Sequence, residues 1–362
     1  MTASSISSIA HINLAKGFRG GERQTVLLIK HLKIARPDLR QVLICHRNSA
    51  LPAYLEDVPD LDIVPVAGAL GGHFSGRVRA DIYQAHEAKA CHWAAIHRLL
   101  FRTPFVICRR VPQLVRNNMF NRFVYRTAAA TVSISQSIRE SVIRSFGRDL
   151  NFSGRIFLIY DAITHQEADP ARVAEIRKGY AGHPVFGHIG AYVDRHKGQR
   201  ILIAAAREFV RKHPEARFVL LGAGADEETL RAESADVPQI EWAGFKNDVM
   251  NYIECMDYFV FPSRNEGLGS VLLDIMDHKI PVIASDADGI PEVVIHNRTG
   301  LLFPNGDSAA LLAAMERLYG NTELKQTLTA GAAENLAKFA PEHMADRYWR
   351  LYQDILDGRI KS

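Results

Sequence analysis

The sequence predicts an α/β protein made of two doubly wound, parallel-sheet domains that face a cleft. Short apolar segments of strand type alternate with longer amphipathic segments of helix type along the chain, which is the order of βαβ units in a parallel sheet. The alternation breaks at the polar stretch THQEADPARVAEIRKGYAGHP and then begins again. Two such runs with one seam indicate two sheets, each with its own core.

The first run covers the first predicted domain, residues 1–163. It opens with the strand segment ISSIAHINLA, followed by a glycine loop and the helical segment ERQTVLLIKHLKIA. The strand segments that follow are separated by helical or loop segments and read QVLICH, LDIVPV, ADIYQAH, PFVICR, ATVSISQ and, ending near Ile163, RIFLIYDAI.

The second run covers the second predicted domain, residues 164–340. Its strand segments are VFGHIGAY, FVLLGAG, IEWAGF, YFVFPS and PVIAS, and ILIAAAREFVRKH reads as a helix. The final segment, PEHMADRYWRLYQDIL within residues 341–362, has the apolar spacing of an amphipathic helix.

The composition excludes several classes of protein. The 362 residues are 47% hydrophobic and 23% charged, which is ordinary for a globular chain with two cores. The sequence contains no run of about 18 apolar residues, so it predicts no transmembrane helix. The first residues lack the basic start and apolar stretch of a secretory signal. Cys45, Cys91, Cys108 and Cys255 are scattered without a CxxC pair. We therefore expect reduced thiols, a cytoplasmic location and no zinc site.

Charge is unevenly distributed along the chain. Residues 1–163 hold 22 Lys and Arg against 11 Asp and Glu, whereas the rest holds 22 against 29. This asymmetry favours an anionic partner for the first domain, and a solvated basic face without a specific partner is the alternative. Arg109 and Arg110 follow a strand segment, so we expect them to contact phosphate or carboxylate, to which arginine binds in a bidentate manner.

The segment QLVRNNMFNRFVYR mixes apolar side chains with Arg116, Arg122 and Arg126. A basic amphipathic helix of this kind can dock on an anionic membrane surface. The alternative is a helix that packs on its own domain through Phe120, Phe123 and Val124. Nucleic acid is disfavoured as a partner, because aromatic residues are not interleaved with the basic ones as stacking platforms.

The loops after the strands hold the candidate site, because ligands of open parallel sheets bind at the carboxyl ends of the strands. In the loop AKGFRGGERQ, Gly20 and Gly21 precede a helix that begins near Glu22, and its free amides suit an anion or a sugar. A tight turn that simply needs glycine is an equal alternative. The loop lacks GxGxxG and an acid at the dinucleotide spacing, which disfavours a nicotinamide-dependent dehydrogenase.

The loop AYVDRHKGQR of the second domain places Arg195 and Lys197 between a strand and a helix. Fixed positive charges stabilise a departing diphosphate, on which negative charge builds up as its bond to a sugar breaks. Because basic loop residues are usually only solvated, these two residues point to a site only in combination with the next loop.

The segment SRNEGLGSVLLD, residues 263–274, follows an apolar strand segment. A helix starting near Leu268 would place the amides of Gly267, Leu268 and Gly269 at its N-terminus, where they can hold phosphate or sugar hydroxyls. The backbones of Glu266 and Asp274 would then be at most roughly 12 Å apart, which suits two ends of one nucleotide-sugar. A polar position on an exposed helix is the alternative for Asp274, but its apolar neighbours indicate burial, and a buried carboxylate needs partners.

Together these segments resemble the hallmark region of the retaining glycosyltransferases of family 4, of the lipopolysaccharide type, which have the GT-B fold. The family pattern is PSxxEGxGxxxxEAMxxxxPVIASxxGGxPExV, followed by a TGLLxxPxD-like stretch. This chain reads FVFPSRNEGLGSVLLDIMDHKIPVIASDADGIPEVVIHNRTGLLFPNGD at the corresponding place. GGER, DIYQAHEAKA, HKG and the last helix extend the resemblance over the whole chain.

In the second domain the resemblance implies donor-binding and catalytic roles. Glu266 corresponds to the first glutamate of an E-x7-E motif, which contacts the donor sugar. The amides from Gly267 to Ser270 correspond to the cradle of the diphosphate and sugar. Lys197 corresponds to the lysine that neutralises the diphosphate, and Arg195 lies beside it in the sequence.

In the first domain the resemblance implies contacts to both substrates. Gly20 and Gly21 correspond to a loop that closes on the donor, and His86 corresponds to a histidine near the reacting sugar. The C-terminal helix, with Trp349 and Tyr352, is expected to pack back on this domain. The basic residues that the resemblance places on the acceptor side are Arg109, Arg110 and Arg116.

Three departures from the family pattern stand out. Asp274 replaces the second glutamate, which in the family bonds the nucleotide ribose, so the nucleotide preference can differ. Ala191 stands where many members have an arginine, and Arg195 or His196 is expected to supply the missing charge. YDAI replaces the more usual xNGI.

The resemblance implies a metal-independent enzyme without a cofactor that moves a sugar from a nucleotide-diphosphate-sugar to a hydroxyl, with retention at the anomeric carbon. The nucleotide is expected near Asp274 and the loops around Gly222 and Phe245. The basic first domain favours a glycan or glycolipid acceptor that is anionic, such as a phosphorylated lipopolysaccharide core precursor, at the cytoplasmic face of the inner membrane. A GT-B epimerase or phosphorylase and a basic nucleic-acid-binding protein are the alternatives.

Overall fold

The computed structural model describes residues 6–146 and 155–360, which form two compact units. Unit 1 contains the chain up to Ala162 together with the stretch from Phe339 onward, and unit 2 contains Ile163–Lys338. The sequence predicts seams after residues 163 and 340. The two α/β units, each built on a parallel sheet, confirm the predicted fold class.

Unit 1 is built on a parallel sheet whose strands, as far as the structure describes them, are β1 (Ser8–Asn13), β2 (Arg40–His46), β3 (Leu61–Val66), β4 (Ile82–Ala85), β5 (Phe105–Arg109), β6 (Ala130–Ser133) and β7 (Ile156–Leu158). Their order in the sheet is β3-β2-β1-β4-β5-β6-β7. The helices are α1 (Gly20–Ala35), α2 (Ala88–Phe101), α3 (Met119–Thr127), α4 (Gln136–Phe146) and the C-terminal helix (Pro341–Leu356), with 3-10 turns at Leu51–Tyr54 and Gly76–Val78.

The C-terminal helix belongs to the core of unit 1. Tyr348 and Tyr352 are buried in the same apolar cluster as Ile9 of β1. The hydroxyl of Tyr352 donates to Oε1 of Gln84 at 2.9 Å, and that of Tyr348 lies 3.3 Å from the Cys108 sulfur. The apolar rings are thus buried while each polar tip has a partner, as buried tyrosines require.

Unit 2 is built on a second parallel sheet, with strands β8 (Val185–Ile189), β9 (Arg217–Leu221), β10 (Ile240–Gly244), β11 (Tyr258–Phe261), β12 (Val282–Ser285) and β13 (Leu301–Phe303) in the order β10-β9-β8-β11-β12-β13. Its helices are α5 (Pro170–Lys178), α6 (Asp194–Lys197), α7 (Gln199–Lys212), α8 (Glu227–Glu233), α9 (Val249–Ile253), α10 (Ser270–Asp277), α11 (Ser308–Leu318) and α12 (Thr322–Leu336). 3-10 turns lie at Ile290–Glu292 and Ala337–Phe339.

The core of unit 2 is dominated by aromatic rings. Phe186 of β8 stacks on Phe218 of β9 and Tyr258 of β11, with ring centroids 5.1 and 4.6 Å apart. Phe209 of α7 meets Phe186 edge to face at 5.1 Å. Such offset and edge contacts add to the stabilisation from burial, and they fix helix α7 against the central strands.

The edge strands differ from the prediction. β13 was not predicted, because its three residues, Leu301–Phe303, are too few to show a strand pattern within TGLLFPNGD. The predicted last strand of the first half, RIFLIYDAI, is reduced to Ile156–Leu158. Among the described residues, each of these strands pairs with one neighbour, so no further strand extends the ladder there.

The strand order reverses direction between β1 and β4 in unit 1 and between β8 and β11 in unit 2. In open parallel sheets, ligands bind at the carboxyl ends of the strands at such reversal points. The segments that directly follow these four strands contain Gly20, His86, Lys197 and Glu266. The sequence-predicted residues therefore lie at the two reversal points of the fold.

Within the described residues, no helix combines the length and the apolar character needed to cross a bilayer. The cysteines Cys45, Cys91, Cys108 and Cys255 are buried and free. Burial raises the pKa of the Cys45 thiol to about 11, because a thiolate is poorly solvated there. That thiol is therefore inert at neutral pH.

Candidate active site

In unit 2 the loops after β8 and β11 are locked together through backbone atoms. The amides of Arg264 and Asn265 donate to the His196 carbonyl oxygen, with N···O distances of 2.8 and 3.3 Å. Gly198 adopts φ +65°, and a Cβ at this position would lie 2.1 Å from the Pro262 carbonyl oxygen. Only glycine fits there without moving the neighbouring loop.

The loop after β12 fixes the SRNEGLG segment from its other side. The Ser285 hydroxyl donates to the Ser263 carbonyl oxygen at 2.5 Å. The amide of Glu266 donates to Oδ2 of Asp288 at 2.9 Å. Glu266 therefore extends from a backbone that two neighbouring loops hold in place.

The side chains of Lys197 and Glu266 meet at the reversal point of unit 2. Lys197 Nζ lies 2.5 Å from Oε2 of Glu266, and the two side chains are 22% and 18% exposed. The ammonium also lies 5.4 Å from the centroid of the Phe261 ring, a cation–π distance. The structure thus brings together two residues that were predicted to contact different parts of the sugar donor. A ligand bound here meets a cation and a hydrogen-bond acceptor side by side.

The glycine-rich segment starts its helix later than predicted. Helix α10 begins at Ser270 because its N-cap, Gly269, has φ +80°, which lies outside the helical region. Gly267, Leu268 and Gly269 are buried, and the Leu268 side chain, 1% exposed, belongs to the core. Because the Leu268 side chain is buried, any contribution of this residue to ligand binding is restricted to its backbone.

Asp274 lies on the buried side of α10 and is 7% exposed, so the alternative of an exposed helix position is wrong. Its Oδ1 accepts hydrogen bonds from the amide and the hydroxyl of Thr164, at 3.1 and 2.8 Å. These bonds satisfy the requirement of a buried carboxylate for partners. The predicted contact of Asp274 to the nucleotide would share this carboxylate with Thr164.

The other predicted donor residues of unit 2 lie at the same edge of the sheet. Arg195 on the short helix α6 and Ala191 in the preceding loop are exposed. Gly222, after β9, donates its amide to the Gly244 carbonyl oxygen at 3.0 Å. Phe245, after β10, is 67% exposed, so its ring is available to stack on a planar ligand.

In unit 1, helix α1 begins at Gly20, two residues before the predicted start at Glu22. The Glu22 carboxylate accepts a hydrogen bond from the Arg19 amide at 2.9 Å, so this acid caps the helix. A Cβ on Gly21 would lie 3.6 Å from Cδ of Arg110. The glycine pair therefore lies directly against the predicted acceptor arginine.

His86 follows β4 and is 3% exposed. Its Nε2 lies 3.1 Å from Nδ1 of His11, whereas its Nδ1 is buried without a hydrogen-bond partner. Burial lowers the pKa of His86 well below its usual range, and His11 and Arg110 add to this effect. At neutral pH the imidazole is therefore uncharged.

Arg110, predicted to bind an acceptor, is engaged inside unit 1. Its Nε lies 3.2 Å from Oδ1 of Asp161, with side-chain exposures of 11% and 5%, and its Nη1 donates to the His86 carbonyl oxygen at 3.4 Å. Burial raises the pKa of Asp161, and the guanidinium of Arg110 opposes that rise. A buried guanidinium needs such a counterion, so Arg110 has an ion-pair partner within its own unit, and its contact with an acceptor stays a prediction.

The other two predicted acceptor arginines differ from each other. Arg109 donates from Nη2 to the Gln113 carbonyl oxygen at 2.5 Å, and its Nε is buried without a partner. Arg116 is exposed just before α3. Helix α3 packs on its own unit through Val124, 1% exposed, yet leaves Met119 89% exposed. Its two expected uses, packing and surface contact, therefore fall on different faces.

Three residues that shape the site were missed from the sequence: His11, Gln41 and Asp161. His11 and Gln41 are polar residues inside the otherwise apolar strands β1 and β2, and both are buried. A polar side chain in a covered central strand signals a specific partner. For Asp161 the signal was the departure YDAI, since the aspartate is the counterion of Arg110.

Comparison with known proteins finds a family match within unit 2. Residues 183–321 match the family model described as glycosyl transferases group 1. The alpha-D-kanosaminyltransferase of Streptomyces kanamyceticus is 26% identical over 71% of this chain and 68% of its own length. The lipopolysaccharide core biosynthesis glycosyltransferase LpsD of Rhizobium meliloti is 28% identical over 57% of this chain and 59% of its own. The chain thus spans about three fifths to two thirds of these relatives.

Solved structures extend the likeness over both units. Anabaena Alr3699/HepE, crystallised with UDP and glucose, superposes with a TM-score of 0.79 at 19% identity, covering 95% of this chain and 99% of its own. The apo form of the lipopolysaccharide outer core galactosyltransferase WaaB gives a TM-score of 0.69 at 16% identity, covering 97% and 99%. The chain therefore has the GT-B fold, and its residues 183–321, which include Lys197 and Glu266, match the family model of glycosyl transferases group 1.

Proposed function

We propose that this protein is a retaining, metal-independent glycosyltransferase that moves a sugar from a nucleotide-diphosphate-sugar to a hydroxyl of a glycan or glycolipid. The observation that carries the proposal is the Lys197–Glu266 pair, 2.5 Å apart at the reversal point of unit 2. The pair lies inside the glycosyl transferases group 1 match. It combines a cation for phosphate oxygens with a carboxylate for sugar hydroxyls.

The reaction breaks the bond between the anomeric carbon and a diphosphate oxygen and forms a bond from that carbon to the acceptor oxygen. Negative charge develops on the departing diphosphate, and Lys197 and Arg195 stabilise it. Fixed charges of this kind lower the activation barrier by several kcal/mol. The acceptor proton passes to the departing oxygen when attack occurs on the same face, so no protein base is needed. Glu266 accepts hydrogen bonds from the sugar and orients its ring.

UDP is the first nucleotide to consider. HepE was crystallised with UDP, with UDP and glucose and with UDP-glucose. In this chain the exposed ring of Phe245 would stack on the base, and Asp274 would contact the ribose. These contacts distinguish a nucleotide from a simple phosphate.

We propose a lipopolysaccharide precursor as the acceptor, in line with the names of LpsD and WaaB. We further propose that this acceptor is anionic and lies at the cytoplasmic face of the inner membrane. Arg116 is exposed, and its apolar neighbours Leu114, Met119 and Phe120 are 62%, 89% and 46% exposed. Exposed apolar side chains among arginines suit the interface of an anionic bilayer. This stretch is the proposed docking surface for the membrane that carries the acceptor.

Thermal shift and turnover with UDP-, GDP- and ADP-sugars test the proposed function. One nucleotide should stabilise the protein by about 2.7 kcal/mol at 100 times its Kd. The same nucleotide-sugar should glycosylate a lipopolysaccharide core oligosaccharide, and NMR should show that the product keeps the anomeric configuration of the donor. Absence of nucleotide binding contradicts the proposal. Sugar conversion without an acceptor indicates an epimerase, and sugar phosphate formed from inorganic phosphate indicates a phosphorylase.

Co-sedimentation with phosphatidylglycerol vesicles tests the membrane contact. The double substitution R116Q/R122Q should reduce the partition coefficient about thirtyfold, because each arginine near an anionic surface contributes about 1 kcal/mol. The matched control is R350Q, since Arg350 lies in the same unit, on the C-terminal helix, with its side chain 74% exposed. Equal binding of the double variant and the control would show that α3 is not the docking surface.

A further inference from the structure

A row of buried polar side chains in unit 1 ends at His86. Gln41 Nε2 donates to the Ile29 carbonyl oxygen at 3.0 Å. Oε1 of the same amide lies 3.0 Å from His11 Nε2, and His11 Nδ1 lies 3.1 Å from His86 Nε2. All three side chains are at most 3% exposed, so no bulk water competes for these bonds.

The direction of every hydrogen bond in this row follows from its first member. A backbone carbonyl can only accept, so the amide group of Gln41 that faces Ile29 must be the NH2 group. Its oxygen therefore faces His11 and requires a proton on His11 Nε2. A neutral imidazole carries one proton, which leaves Nδ1 of His11 as an acceptor and assigns the proton between the two rings to His86 Nε2.

The two rings are arranged for this bond. Their planes are inclined by only 26°, with centroids 5.4 Å apart, so the N–H of one ring can point at the in-plane lone pair of the other. Burial lowers the pKa of His11 to about 4, although the bond to Gln41 opposes this. His11 is therefore neutral at pH 7, as the assignment requires.

We propose that Gln41 and His11 are positioning residues that fix His86 as the Nε2–H tautomer, so that its Nδ1 accepts a hydrogen bond from a sugar hydroxyl of the bound substrate. Nδ1 of His86 is the one ring nitrogen of the pair left without a partner. An acceptor at this point selects a ligand group that donates. This inference rests on the proposed function for the identity of the ligand, but the tautomer itself does not.

The tautomer can be read without any substrate. In long-range 15N–1H correlation spectra of the full-length protein labelled with 15N-histidine, His86 should show a protonated Nε2 and an unprotonated Nδ1. His188 is an internal control with the opposite pattern, because its Nδ1 faces the Val260 carbonyl oxygen at 3.0 Å and must carry the proton. A protonated Nδ1 on His86 in the wild-type protein overturns the proposal outright.

Substitutions test whether the row positions His86 for catalysis. Gln41→Met removes the acceptor for His11, so His86 should become a mixture of tautomers and kcat should fall by up to about tenfold, the effect of losing one hydrogen bond completely. The KM for the nucleotide-sugar should change less than threefold. His11→Asn still offers an oxygen to His86 Nε2–H, so it should keep the tautomer and lose less kcat than His11→Leu. A mixture of tautomers with unchanged kcat overturns the positioning role.

Fluorinated substrates identify the hydroxyl. Fluorine cannot donate a hydrogen bond, so replacing the relevant hydroxyl of the donor sugar or of the acceptor should lower turnover about tenfold in the wild-type protein and by a clearly smaller factor in the Gln41→Met variant. If no single hydroxyl behaves in this way, His86 Nδ1 does not contact a sugar. If the wild-type protein turns over no nucleotide-sugar at all, the proposed function fails and the role of His86 in it fails too, whereas the tautomer measured by NMR stands.

Discussion

Replacing Lys197 with methionine should lower kcat for sugar transfer by about two to three orders of magnitude, the usual cost of removing one charge that stabilises a developing anion. Methionine keeps most of the side-chain volume but cannot neutralise the departing diphosphate. It also leaves the Glu266 carboxylate, 18% exposed, without its cation. Steady-state kinetics with the nucleotide-sugar found by thermal shift would measure the change.

The matched control is Lys212→Met. Lys212 lies in the same unit and also pairs with a glutamate, Glu316 at 3.2 Å, but its side chain is 68% exposed on helix α7. It should retain wild-type kinetics within a factor of two to three, because exposed pairs contribute little. A fall of less than threefold in Lys197→Met would place the diphosphate elsewhere and remove the main support for the proposed function.

Replacing Asp161 with alanine should destabilise unit 1 by about 3–5 kcal/mol, because it leaves the buried charge of Arg110 without a counterion. The free energy of unfolding can be measured by urea denaturation followed by circular dichroism. The double substitution D161A/R110M should recover part of the loss, since it removes both charges from the interior. The control D57A breaks the pair with Lys30, in which Asp57 is 67% exposed, and should cost less than about 1 kcal/mol.

The same variants decide between the two interpretations of Arg110. If the guanidinium serves the interior, Arg110→Met should change stability and leave the KM for the acceptor near the wild-type value. If instead Arg110→Met folds with wild-type stability but raises the acceptor KM about tenfold or more, the original acceptor assignment is right. In that case the contact between Arg110 and Asp161 is incidental to folding.

Much of the fold could be predicted from the sequence because it depends on local patterns. Apolar strand segments, amphipathic helices and the polar seam are periodic features that a single segment reveals. The loops with Lys197 and Glu266 were found because they follow strands in an alternating α/β chain. Their direct contact was not, since it depends on β8 and β11 being neighbours in the sheet, and the sequence does not state strand order.

The parts that escaped prediction are pairings between distant residues. The ion pair of Arg110 was not predicted, because its partner, Asp161, lies 51 positions away. His86 and His11 are 75 positions apart. Composition and spacing identify such groups as polar and strand-flanking, but only tertiary packing decides whether a charge faces a ligand or a counterion. The turn at Gly269, which has φ +80°, likewise delays the start of helix α10 relative to the predicted start near Leu268.

The contact between Gly198 and the Pro262 carbonyl oxygen has a consequence for how such an enzyme can diverge. The two loops are in van der Waals contact here, so a substitution that shifts either backbone displaces both Lys197 and Glu266. Substitutions are then tolerated best at exposed positions outside this contact. Ala191 and Arg195 are two such positions. The departure at Ala191 falls at such a permissive position, which makes it a natural starting point for directed evolution of donor choice.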